Sequence, residues 1–132
     1  MSIRRKARRR AAAVVELAVC LPVIVLLVFA SLEGANKLFV RQAAVQAAYE
    51  AAKEASRFNG TNASARQLAT EILQARRINN PRITFTPANV ANAAAGTDIS
   101  VTIRVAGSER SVTGIGSFSG RNIQVQATML KE

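Results

Sequence analysis

Glu16 is the only charged residue between Ala11 and Leu32, a stretch otherwise built of alanine, valine, leucine and other uncharged residues. A carboxylate in an apolar run costs about 2.5 to 3.5 kcal/mol at the centre of a membrane span and less near its edge, so its presence calls for a role. The plain role is snorkelling toward headgroups, or pairing with the arginines that precede it. An ionisable residue inside a span is nevertheless a site by default, and Glu16 is the strongest candidate in the chain. The remaining chemistry-bearing residues are less suggestive. Glu50, Glu54, Glu71, Asp98 and Glu109 lie in polar helical or loop surroundings and read as surface charges. Histidine is absent, and the one cysteine, Cys20, lies within the apolar run. These residues offer no zinc cluster, no disulfide framework, no phosphate-cradling glycine loop and no nucleophile beside a histidine. The chain is not read as an enzyme, and no cofactor or metal is expected.

The element that must position Glu16 is the run itself. Residues 11–32 as a helix rise about 33 Å, against a hydrocarbon core of about 30 Å. Arg4, Arg5, Lys6, Arg8, Arg9 and Arg10 precede the run with no acid among them. Cationic flanks stay in the cytoplasm, so the expected orientation is N-terminus inside and everything after about Glu33 outside. Glu16 follows Arg10 by about 9 Å of helix and so lies near the cytoplasmic interface. Pro22 removes one backbone hydrogen bond and is expected to kink the span.

Charge counting supports the same reading. The net charge is +10, but six of the 18 Lys and Arg fall in the first ten residues, and the other twelve face eight acids. With five Phe, one Tyr and no Trp, stacking platforms for nucleic acid are lacking too, and no nucleic-acid partner is expected.

From 34 to 58 the composition turns to Ala, Gln, Lys, Arg and Glu, and the helix should leave the membrane intact. Glu33 with Lys37 and Glu54 with Arg57 have helical ion-pair spacing. Leu38, Val45, Tyr49 and Ala52 make a narrow apolar seam expected to pack on the chain's own domain. Asn59 to Asn62 break the helix. Ser64 and Gln67 have capping-box spacing for a second helix with Leu68, Ile72 and Ala75 buried, ending near Arg76, Arg77 and Pro81. After Pro81 the period becomes alternating: Ile83 and Phe85, then Ile99 to Val105, then Ile123 to Met129 each show one apolar face. The expected fold is α+β, a long N-terminal transmembrane helix followed by a second helix on a small antiparallel sheet. Its parts are a basic cytoplasmic leader (1–11), a span (12–33), an outer helical extension (34–58) and a small outer domain (59–132). Ser108 to Gly120 reads as a long loop.

Arg8 to Ala18, then Leu21-Pro22, Leu32-Glu33-Gly34 and the helix from Val40 to Arg57 together resemble the TadE-like family, minor pseudopilins of tight-adherence (type IVc) pilus systems. The resemblance covers about residues 4 to 58. It implies a prepilin peptidase that cuts between Ala11 and Ala12, with Ala11 standing where that enzyme usually finds glycine. Glu16 then matches the acid five residues into the mature chain, which in related pilins pairs with a neighbouring subunit's amino terminus. The implied partners are the lipid bilayer, other pilins or pseudopilins, the peptidase and the assembly machinery. The implied place is the inner membrane, single-pass, with possible inclusion in a pilus. An alternative remains: Val28-Phe29-Ala30 before Ser31 resembles a signal-peptide cleavage site, which would release a soluble binding domain.

Overall fold

The computed structural model describes residues 2–107 and 122–132, with side chains described from Arg10 onward. The expected loop from Ser108 to Gly120 lies outside the described residues. So do the side chains of Arg4, Arg5, Lys6, Arg8 and Arg9, although their backbone belongs to the first helix.

That helix, α1, runs uninterrupted from Ser2 to Ser56. At 1.5 Å per residue it is about 80 Å long, more than a small domain can cover. Pro22 sits inside it without ending it. Residues 10–32 are exposed throughout, and this part holds the one described segment long and apolar enough to cross a membrane. From Val40 onward the helix acquires a buried face of Ala43, Ala44, Ala47, Ala48, Ala51, Ala52 and Ala55. The spacing of three and four residues keeps these side chains on one stripe, and their small size lets other elements come close.

The apolar seam expected from the sequence therefore points the other way. Leu38, Val45 and Tyr49 are 56%, 50% and 52% exposed, and only Ala52 of that set is buried. Bulky side chains at those positions would hold the second helix and the sheet away from α1, whereas alanines admit them.

The second helix, α2, spans Asn62–Ala75 and starts one turn earlier than the Ser64/Gln67 pattern suggested. Thr61 is the N-cap, accepting from the Ser64 backbone N–H at 3.1 Å, while Ser64 Oγ accepts from the Thr61 N–H. The buried stripe is Ala65, Ala69 and Leu73, with Leu68 and Ile72 at its margin and Ala75 exposed. Arg76 is the C-cap, and Arg77 takes a left-handed φ of 60° that turns the chain toward Pro81.

Three strands follow: β1 (Arg82–Thr86), β2 (Asp98–Val105) and β3 (Ile123–Leu130), antiparallel in the order β1-β2-β3. A short 3-10 turn at Val90–Asn92 buries Val90 between the first two. The alternation read in the sequence is the alternation observed. Ile83, Phe85, Ile99, Val101, Ile103, Val105 and Val125 are buried, and Ile123, Ala127 and Met129 pack partly against them. α1 lies on this face against β2 and β3, while α2 packs on α1 and reaches the sheet through Arg66, which donates to the Ile83 carbonyl, so the fold is α+β with the second helix mainly on the first.

The two ends of the domain differ in what closes them. At the far end from the apolar run, Gly60 folds back on the end of α1, its N–H donating to the Arg57 carbonyl at 2.8 Å. Lys131 Nζ donates to the carbonyls of Ala55 and Arg57, and the Glu132 N–H donates to that of Ser56. These donors satisfy carbonyls that a helix end leaves open. At the near end the sheet finishes in Arg82, Arg104 and Gln124, which the strand register places in one row.

Candidate functional site

Glu16 lies on the part of α1 that no other element covers. Its neighbours one helical turn away are Ala12, Ala13, Val19 and Cys20, mostly small, so another helix can approach the carboxylate closely. All are exposed within the single chain. Among the described residues Glu16 makes no hydrogen bond and no ion pair. The first buried residue on α1, Glu33, is 17 positions further on, about 26 Å of helix. No described group of the outer domain therefore reaches the acid.

Ala11 and Ala12, the expected processing residues, are exposed on the same helix. An amino group at residue 12 would stand four residues before Glu16, about 6 Å along the axis and on one face.

Other residues take places that the sequence did not announce. Glu33, at the end of the apolar run, is buried to 2% exposure while Leu32 and Gly34 beside it are exposed. Lys131, next to the last residue, is buried to 5%. Its signal in the sequence was nil, because a cation one residue from a terminus normally reads as solvated. Leu38, Val45 and Tyr49, turned outward, line a shallow groove on α1 together with Arg41, Gln42 and Gln46. Cys20 is a free, exposed thiol. Among the described residues no cluster of His, Cys, Asp or Glu has the make-up of a metal site.

What this arrangement can do is electrostatic. A carboxylate on an uncovered apolar rod is a fixed negative charge whose energy depends on what is packed next to it. Searches of curated proteins and of solved structures returned no match. A family model does match, and it covers the rod together with the first turns of the buried alanine face: residues 11–53 match the model described as TadE-like protein, and over that stretch the chain is similar to that family.

Proposed function

We propose that the protein is a minor-pseudopilin-like membrane component of tight-adherence pilus assembly, anchored by residues 12–33, with its leader in the cytoplasm and its α+β domain outside. Glu16 is the assembly residue, pairing with the amino terminus of a partner pilin or pseudopilin, and a prepilin peptidase cuts this chain between Ala11 and Ala12. The observation that carries this reading is the position of Glu16 inside the TadE-like segment on helix surface left wholly uncovered by its own chain.

The physical argument is one of compensation. An acid in lipid is costly alone and strongly attractive to a cation, so pairing neutralises both charges and fixes the axial register of the two helices. Arg4, Arg5, Lys6, Arg8, Arg9 and Arg10, just before Glu16, hold the N-terminal end of the helix in the cytoplasm until processing. Pro22 introduces one missing backbone bond into the span, a point at which the rod bends most easily.

The test compares membrane level with piliation in one strain set. Glu16→Leu should insert at least as well as wild type, because it removes a charge from lipid, and should lose piliation. Glu16→Asp should retain part of it, keeping the charge on a shorter arm. Normal piliation by Glu16→Leu would sink the pairing role. Amino-terminal sequencing supplies the second arm: Ala12 supports peptidase processing, whereas Ser31 would favour a domain released by signal peptidase.

A further inference from the structure

The near end of the sheet carries a charge arrangement that assembly through Glu16 does not use. Arg82 and Arg104 are directly opposed across β1 and β2. Both are exposed on the solvent face of the sheet, and neither has a hydrogen-bonding or ion-pair partner among the described residues. Like charges at opposed positions repel, so this placement works against the sheet unless an anion sits between them. Together with Asn80, Ala106 and Asn122 the two arginines line one polar groove of about 330 Å³. The acids of the sheet and the chain end, Asp98 and Glu132, belong to the other end of the domain, where Thr97 bonds Lys131 and Glu132 bonds Ser56. β2 is thus acidic at one terminus and basic at the other.

The helix supplies a ruler for where the basic end lies. Lys131 is fixed beside Ala55, and the seven residues back to Gln124 at about 3.3 Å each reach about 23 Å, which taken along the helix is level with about residue 40. The register brings Arg104 beside Gln124, and Arg82 beside Arg104, at that same level. Leu32, the end of the apolar run, is then about 12 Å below them along the axis. The headgroup layer occupies about 5 to 7 Å of that distance. The guanidinium groups stand within one Debye length, about 8 Å, of its surface.

We propose that the Arg82–Arg104 groove is a binding site for the phosphate of anionic phospholipids, which seats the base of the outer domain on the membrane surface. The proposal rests on the single-span orientation of the preceding subsection. Two guanidinium forks side by side match the oxygens of a phosphodiester, and the flanking asparagines add neutral donors. A headgroup bound there relieves the repulsion between the arginines and restricts rotation of the domain about α1.

The full chain in nanodiscs tests this. A fluorophore on Gln124→Cys, exposed beside Arg104 but outside the groove lining, in a Cys20→Ser background, reports quenching by a nitroxide carried on lipid headgroups. Quenching should be greater in discs containing phosphatidylglycerol than in phosphatidylcholine alone. Arg82→Gln and Arg104→Gln should each reduce the docked-to-free ratio about fivefold. The double variant, which removes only exposed charges, should fold and lose the increment, as should wild type at about 1 M salt. An increment that is absent in wild type, or equal in wild type and double variant, would overturn the proposal. Shielding of the probe by inorganic phosphate, with no effect of phosphatidylglycerol, would assign the groove to a free anion and overturn it as well. A second probe on the native Cys20 separates the two levels of the argument: quenching by acyl-chain nitroxides supports the span, so its absence defeats the topology, and its presence without a headgroup effect defeats only the lipid site.

Discussion

Lys131 Nζ lies 3.2 Å from the carbonyl oxygen of Ala55, a contact across 76 positions that joins the chain's last residues to the end of its longest helix. The same amine donates to the carbonyl of Arg57, and the Lys131 backbone is held on both sides, its N–H by the Thr97 carbonyl and its carbonyl by the Gly96 N–H. The last turn of a helix concentrates open carbonyls and the negative end of the macrodipole, so a buried ammonium is well matched to it. Domain and rod are coupled here as well as through the core. That coupling allows a helix anchored in lipid to set where the domain stands.

Lys131→Met tests the coupling, because it keeps the apolar stem and removes the charge. Hydrogen bonds to charged groups are worth about 1.5 to 3 kcal/mol, and the variant should lose stability of that order. Thermal or denaturant unfolding of the full chain in detergent reads this directly. An unchanged midpoint would mean that water satisfies these carbonyls equally well.

The strands were legible because their alternation is strong: Ile99, Val101, Ile103 and Val105 are apolar on one face, and all four are fully buried. Two local patterns in the helices misled for physical reasons. Ser64/Gln67 has capping-box spacing, yet the helix starts one turn earlier, where the Thr61 hydroxyl takes the Ser64 N–H and Gly60 turns tightly against α1. Leu38, Val45 and Tyr49 outweigh alanine on any hydrophobic scale, yet burial follows distance of approach, and the alanine stripe wins. Lys131 was illegible since its burial depends on a partner far away in sequence. Glu16 is a candidate site from charge in an apolar run alone. Its surroundings within the chain add only that nothing of its own domain covers it.

Gly60 should tolerate no side chain. A Cβ there would fall 2.6 Å from the Ala55 carbonyl oxygen and similarly close to that of Glu54, both backbone atoms that cannot swing aside. Gly34 has nothing within 4 Å of the corresponding position. Gly60→Ala should therefore lower the unfolding midpoint, while Gly34→Ala, in a helix interior, should leave it unchanged or raise stability by up to about 1 kcal/mol. The opposite ranking would show that the turn at Gly60 is not held as described.

The two faces of α1 should separate cleanly under substitution. Ala48 is 1% exposed, and enlarging it in Ala48→Leu forces α1 away from its neighbours at a cost of about 1 to 3 kcal/mol. Val45→Gln, on the outward face, should change stability by less than about 0.5 kcal/mol. Paired unfolding curves decide the matter. A neutral Ala48→Leu with a damaging Val45→Gln would restore the Leu38–Val45–Tyr49 seam as the packed face.

Topology is readable from a single proteolytic cut. The turn after α1 offers Phe58, 80% exposed, between Arg57 and Asn59, while the elements on either side are held in the core. Proteinase K or chymotrypsin should cut there first. If six cytoplasmic cations set the orientation, that cut occurs when protease is added to intact spheroplasts, and a denaturing gel resolves a membrane-retained piece ending near 58 from the remainder of the domain. Lys131 and the buried face keep the two pieces together until denaturant is added, so the membrane fraction should hold both before the gel and release the outer one in urea. Cleavage that requires lysis would place the domain in the cytoplasm, and it would remove both the pairing of Glu16 from the proposed side and the seating of Arg82 and Arg104 on the outer leaflet.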